Sequence, residues 1–139
     1  MEFFALAQCP LTATQIQDTL CGQQLAAWCA TINRVLHWED EQGEIYSLWG
    51  QFRVRRELIR GGVRFTLPEC PNALAWTLTV APPAVGGEAS PGIQVHCTIN
   101  RTEHDPEFIA SLEDFVADWR QGLERLAGEL FSTRDAAPP

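Results

Sequence analysis

Lysine is missing altogether: all ten cations of the 139-residue chain are arginine, set against eighteen carboxylates for a net charge of -8. Gly61-Gly62 is therefore a turn and no phosphate loop, because no helix start with Lys and Ser/Thr follows it. The acidic balance argues against broad nucleic-acid binding, which needs positive charge along phosphates. It argues equally against docking on anionic lipid. No stretch approaches the ~20 continuous apolar residues of a membrane span. The opening MEFFALAQ has neither the basic region nor the long apolar run of a signal peptide. A soluble, cytoplasmic protein is expected. Cysteine is present but unorganised. Cys9, Cys21, Cys29, Cys70 and Cys97 are odd in number and no two have C-x-x-C spacing, which speaks against a disulfide framework and a zinc ribbon. They read as small buried apolar residues of a reducing compartment. G-x-S-x-G, H-E-x-x-H and dinucleotide fingerprints are lacking too, so no catalytic residue, metal or cofactor is implied.

What is there is patterned hydrophobicity. From Asp105 to Phe131 the residues Phe108, Ile109, Leu112, Phe115, Val116, Trp119, Leu123, Leu126 and Leu130 recur every three or four positions, the stripe of an amphipathic helix. Glu107, Glu113, Asp114, Asp118, Arg120, Glu124 and Arg125 fall opposite. Asp105-Pro106 is a start signal, an N-cap acceptor followed by a residue without the unused N–H. Earlier, Glu2–Gln8 predicts a strand. Thr12 or Thr14 with Gln15 or Gln17 predicts a capping box. Ile16 and Leu20 mark the first short helix, Cys21-Gly22 reads as its stop, and a second short helix spans Gln23 to Ala30.

From Thr31 the period becomes two. Expected strands are Ile32–Trp38, a long Glu44–Leu58, Val63–Leu67, Ala73–Val80 and Ile93–Ile99, with a polar turn over 39–44 and a turn at 60–62. Within the long strand, Tyr46, Leu48, Phe52 and Val54 share one face, and Ser47, Trp49, Gln51, Arg53 and Arg55 the other. Ala81–Pro91, rich in Pro and Gly, reads as a mobile loop, and Ser132–Pro139 as a frayed tail.

The expectation is a single α+β domain over residues 1–131 with a disordered tail over 132–139: a curved antiparallel sheet, in the order β-α-α-β5-α, wrapped around a long C-terminal helix. The segments FFALAQCPLTATQIQDTLCGQQLAAW and DPEFIASLEDFVADWRQGLERL, by their order and length, resemble the first strand with paired short helices and the gripping helix of the START-like, or SRPBCC, helix-grip superfamily. That resemblance implies a cavity between sheet and helix for an apolar small molecule. Lipid carriers, polyketide cyclases and co-chaperone-like stress proteins belong to that superfamily. It has no short signature, so no functional residue is carried over.

The residues expected to line such a cavity are Phe65, Trp76, Phe108, Leu112, Phe115 and Trp119; the plain alternative is a filled core. Arg53, Arg55, Arg56, Arg60 and Arg64 gather half the cations within twelve residues. Of these, Arg53, Arg55 and Arg64, beside Trp49, form a candidate contact for an anion or a partner, or else a solvated strand face guarded against aggregation. His96 reads as an exposed histidine, or as a general base if its face lines the cavity. His37 with Glu39 offers too few ligands for a metal. Three functions compete: a ligand-binding or carrier protein; an acidic interaction module resembling type III secretion chaperones, which open with a helix where this chain opens with a strand; and a cyclase- or hydrolase-like enzyme using His96 or a carboxylate. The first is preferred, as a monomer or homodimer with no nucleic-acid or membrane partner.

Overall fold

The computed structural model describes residues 1–81 and 92–135, the side chains of 126 and 130–135 excepted. The expected loop at Ala81–Pro91 therefore lies, save Ala81, outside the described residues. The elements are β1 (Glu2–Ala7), α1 (Ala13–Thr19), a 3-10 turn (Gly22–Gln24), α2 (Leu25–Trp28), β2 (Ile32–Glu39), β3 (Gln42–Ser47), β4 (Gly50–Ile59), β5 (Gly62–Thr66), β6 (Ala75–Val80), β7 (Ile93–Thr98) and α3 (Pro106–Asp135). All seven strands form one antiparallel sheet in the order β1-β7-β6-β5-β4-β3-β2. The curved sheet with its long C-terminal helix is the architecture expected.

Local signals explain the helix starts. Thr12 Oγ1 accepts from Gln15 N–H, and Gln15 Oε1 accepts from Thr12 N–H, so the box is Thr12 with Gln15. Asp105 Oδ1 accepts from Glu107 N–H at 2.8 Å, directly before Pro106, as an N-cap does. The helix continues to Asp135, four residues beyond the expected Phe131. Residues 132–135 thus have helical backbone in place of a frayed tail, and 136–139 lie outside the described residues.

The long strand expected over Glu44–Leu58 is two strands. It turns at Leu48-Trp49, with Gly50 at φ +109°, a conformation open to glycine. Ser47 Oγ closes the turn, donating to the Gly50 carbonyl at 2.9 Å and accepting from Trp49 N–H at 3.3 Å. In the hairpin Ile45 stands opposite Phe52 and Ser47 opposite Gly50, so the inward positions are odd-numbered before the turn and even-numbered after it. Ile45 and Ser47 are buried, whereas Tyr46 and Leu48 are exposed. The face assigned to Tyr46 and Leu48 was thus inverted, while Phe52 and Val54 do turn inward.

Gly22 is a second correction. It is buried and has no positive φ, so it is no left-handed helix stop. A Cβ there would lie 1.8 Å from the Trp38 ring; the position is glycine because an indole lies over it. Gly122 plays the same part inside α3. Its Cβ would lie 1.8 Å from the Trp28 carbonyl oxygen at the end of α2. Gly122→Ala should gain about 1 kcal/mol in helix propensity yet lose about 1–3 kcal/mol by overpacking. A net fall in stability in urea unfolding is expected, and a more stable variant would contradict this packing.

Candidate functional site

Between the concave face of the sheet and α3 lies one aromatic cluster. Phe65 on β5 and Trp76 on β6 are cross-strand partners, with ring centroids 5.3 Å apart. Phe115 of α3 meets Trp76 edge-on at 5.0 Å, and Trp119, one turn on, lies 6.4 Å from Phe65 and 6.5 Å from Trp76. Leu112 is fully buried beside them, and Phe108 is partly buried. The structure thus gathers the six residues expected to line a cavity into one place. These rings occupy the interior themselves, and none of the six lines the surface depressions of about 410, 300 and 480 Å³ among the described residues.

One polar feature stands out in this apolar volume. The indole N–H groups of Trp76 and Trp119 are buried and have no hydrogen-bond acceptor among the described residues. Both residues expose at most 1 % of their surface. A buried donor left unpaired costs about 1–3 kcal/mol, and such groups in native proteins call for a reason. The contrast with Trp49 is instructive. Its indole N–H donates to Ser111 Oγ of α3 at 2.9 Å, and its ring packs on Phe115 at 5.2 Å. Trp49 therefore faces α3 and does not share a face with Arg53 and Arg55, because the β3–β4 turn redirects it. Other polar ties to α3 include Thr31 Oγ1 to Asp118 Oδ2 at 2.6 Å, Gln8 N–H to Glu124 Oε2 at 3.2 Å and Arg125 to the Ala27 carbonyl at 3.5 Å.

The arginines divide. Arg53, Arg55 and Arg64 are exposed on the outer face, each beside an acid. Arg53 pairs with Glu69 at 3.1 Å, Arg55 lies 3.9 Å from Glu57, and Arg64 stands across the strand from Glu57. Exposed pairs of this kind contribute little stability. Arg53 and Arg55 also line the 410 Å³ depression together with Asp40 and Glu41. Arg56 points the other way and is buried. Its Nε donates to the Leu20 carbonyl at 2.9 Å, one terminal nitrogen donates to the Gln17 carbonyl, and the other meets Glu41 Oε2 at 2.8 Å. These are the orphan carbonyls at the end of α1, and a cation suits that end of the helix dipole.

His96 lies on the outer face, stacked on Phe4 with centroids 4.4 Å apart and an interplanar angle of 3°, its Nε2 3.1 Å from Glu2 Oε1. It does not line the interior. His37 lies 3.4 Å from Glu44, and Glu44 is held below the usual carboxylate range, first by the Gln51 amide and then by His37. His104 Nδ1 accepts from Asp105 N–H at the helix start. Among the described residues no three His, Cys, Asp or Glu side chains cluster as a metal group, and no described helix is long and apolar enough to cross a membrane.

All five cysteines are free thiols; Cys9, Cys29 and Cys97 are buried, and Cys21 is exposed. Burial pushes the Cys29 and Cys97 thiols up to about 12, and raises that of Cys9. Since the thiolate is the nucleophile, iodoacetamide at neutral pH is expected to label Cys21 first and to reach Cys9, Cys29 and Cys97 only after denaturation. Intact-mass and peptide mass spectrometry read the order directly, and early labelling of Cys29 would contradict the burial.

The sequence matches no protein-family model, and no curated protein matches it. Its fold is similar to solved structures. One is the crystal structure of an uncharacterized protein from Bacillus thuringiensis, with a TM-score of 0.66 at 14% identity over 91% of this chain and 98% of that one. Another is the solution structure of a Thermobifida fusca protein, with a TM-score of 0.53 at 16% identity over 94% and 93%. At such identities the likeness is one of fold.

Proposed function

We propose that the protein binds a small apolar molecule carrying a hydrogen-bond acceptor, seated between the sheet and α3 against Trp76 and Trp119. The observation that carries this reading is the pair of buried indole N–H groups without acceptors among the described residues. An apolar guest carrying carbonyl, ether or carboxyl oxygen would offer these donors an acceptor and keep the ring contacts, the usual division of labour in small-molecule sites. The rings fill this space in the structure, so the reading requires them to shift under α3 to admit a guest. The element order supports the resemblance to the helix-grip superfamily, in which this is where a ligand sits. The free thiols support a reducing, cytoplasmic setting.

The test is NMR on protein labelled with 15N at tryptophan, titrated with decanoic acid and with decane. Decanoic acid is expected to move the indole N–H signals of Trp76 and Trp119 and leave that of Trp49 in place, with decane weaker. Native mass spectrometry of protein from gentle lysis should show a co-purifying small molecule. Unmoved indole signals together with a bare protein mass would refute the reading.

A further inference from the structure

We propose that the open edge of β1 is an interface with a second copy of this chain, formed by antiparallel β1–β1 pairing about Phe4. Among the described residues β1 stands at the end of the sheet and pairs only with β7. Ile99 N–H donates to the Met1 carbonyl, and Met1 stands opposite Ile99 by extension of the Glu2–Thr98 register. In an antiparallel ladder, bonded and non-bonded pairs alternate. Phe3, Ala5 and Ala7 therefore turn their backbone groups to β7, and Glu2, Phe4 and Leu6 turn theirs to the open side. No described residue bonds those outward groups. The edge also carries apolar side chains, with Phe4 55% and Leu6 50% exposed. An apolar edge whose outward groups meet no described partner is a template for another strand.

The neighbouring helix argues for a copy of the same chain as the occupant. A groove of about 480 Å³ beside the edge is lined by Glu2, Phe4 and their neighbours on β1 and by Glu113, Val116, Ala117 and Arg120 on α3. α3 runs in the same direction as β1 here, since Gln8 meets Glu124 further along both elements. On β1 the outward residues Glu2, Phe4 and Leu6 centre on Phe4, which lies within the Glu2–Ala5 stretch lining the groove, and on α3 the midpoint of Glu113–Arg120 falls between Val116 and Ala117. A single two-fold axis can therefore serve strand and helix at once, as an isologous interface requires. It sets Phe4 against Phe4 and Glu2 against Leu6. It brings the two α3 helices antiparallel, so that Glu113 of each copy faces Arg120 of the other, with the smaller Val116 and Ala117 at the axis. Two opposite-charge pairs then offset locally the repulsion between chains of net charge -8.

The experiment is sedimentation equilibrium of the full chain from micromolar to several hundred micromolar. The expected result is a monomer–dimer equilibrium between 15.5 kDa and twice that mass. Glu113→Arg should raise the dissociation constant tenfold or more, and adding Arg120→Glu in the same chain should restore it, because the swap rebuilds both pairs. Leu6→Glu, which sets a carboxylate against Glu2 of the other copy at both ends of the strand pair, should abolish the dimer, with circular dichroism and the melting temperature confirming that the fold is kept. A monomer throughout, a dimer indifferent to Glu113→Arg, or a double variant no tighter than Glu113→Arg would overturn the proposal. So would an excess mass that proves to be a different protein on this edge.

Discussion

Truncating Trp119 to alanine should lower the unfolding free energy by about 3–5 kcal/mol, the range for large aromatic core truncations. The residue is fully buried and touches both Phe65 and Trp76, so its removal strips ring contacts from sheet and helix together. The informative companion is Trp119→Phe. It keeps a ring but deletes the unpartnered N–H, so loss of ring area is partly offset by relief of an unpaired donor. An effect of no more than about 1–2 kcal/mol is expected on that balance. Urea unfolding of the two variants measures both values. If the indole donors serve a guest, Trp119→Phe, and likewise Trp76→Phe, will also weaken decanoic acid more than decane. A Trp119→Phe variant as unstable as Trp119→Ala would mean that the N–H has a partner in solution, an ordered water being the obvious one.

Arg56→Met should cost about 3 kcal/mol, since two helix-end carbonyls lose their donor inside the fold and each such loss costs about 1–3 kcal/mol. The guanidinium reaches Leu20 and Gln17 on α1 and Glu41 at the β2–β3 turn from one position, a fork that an ammonium cannot reproduce. Arg56→Lys should therefore recover less than half of the loss. Gln17 fastens the same helix by donating from Nε2 to the Ile59 and Gly62 carbonyls, so damage should concentrate in α1 and the β4–β5 turn. Hydrogen exchange would show faster exchange there than in α3. By contrast Arg55→Met, on the solvated face, should fall within about 0.5 kcal/mol of the parent. A parent-like melt for Arg56→Met would refute this account of how α1 is held.

The two arginines are adjacent and alike in sequence, and their fates differ only because the strand alternates. That alternation was legible, as was the helix stripe: Leu112, Phe115, Val116, Trp119 and Leu123 are all buried. The six candidate lining residues could be named because inward strand positions and the α3 stripe must meet. Their unpartnered N–H groups could not, since whether a tryptophan finds an acceptor depends on what stands across from it. Trp49 and Trp76 look equivalent in sequence, yet Ser111 lies in reach of only the first. The phase error at Tyr46 and Leu48 has a similar origin. Ser47-Leu48-Trp49-Gly50 offers one glycine and no proline, a weak turn signal within a run of strand formers.

Local terms were enough, by the sequence alone, to determine the helix start at Asp105, to narrow the first one to Thr12 or Thr14, and to set the period of α3 and the alternating character of the strands, because each depends on residues within one or two turns of chain. Only the tertiary structure decided where β3 ends, why Gly22 and Gly122 carry no side chain, and which arginine is buried. Those outcomes depend on atoms far apart in the chain, the Trp38 ring over Gly22, the Trp28 carbonyl against Gly122 and the end of α1 beside Arg56. No periodicity encodes such pairings.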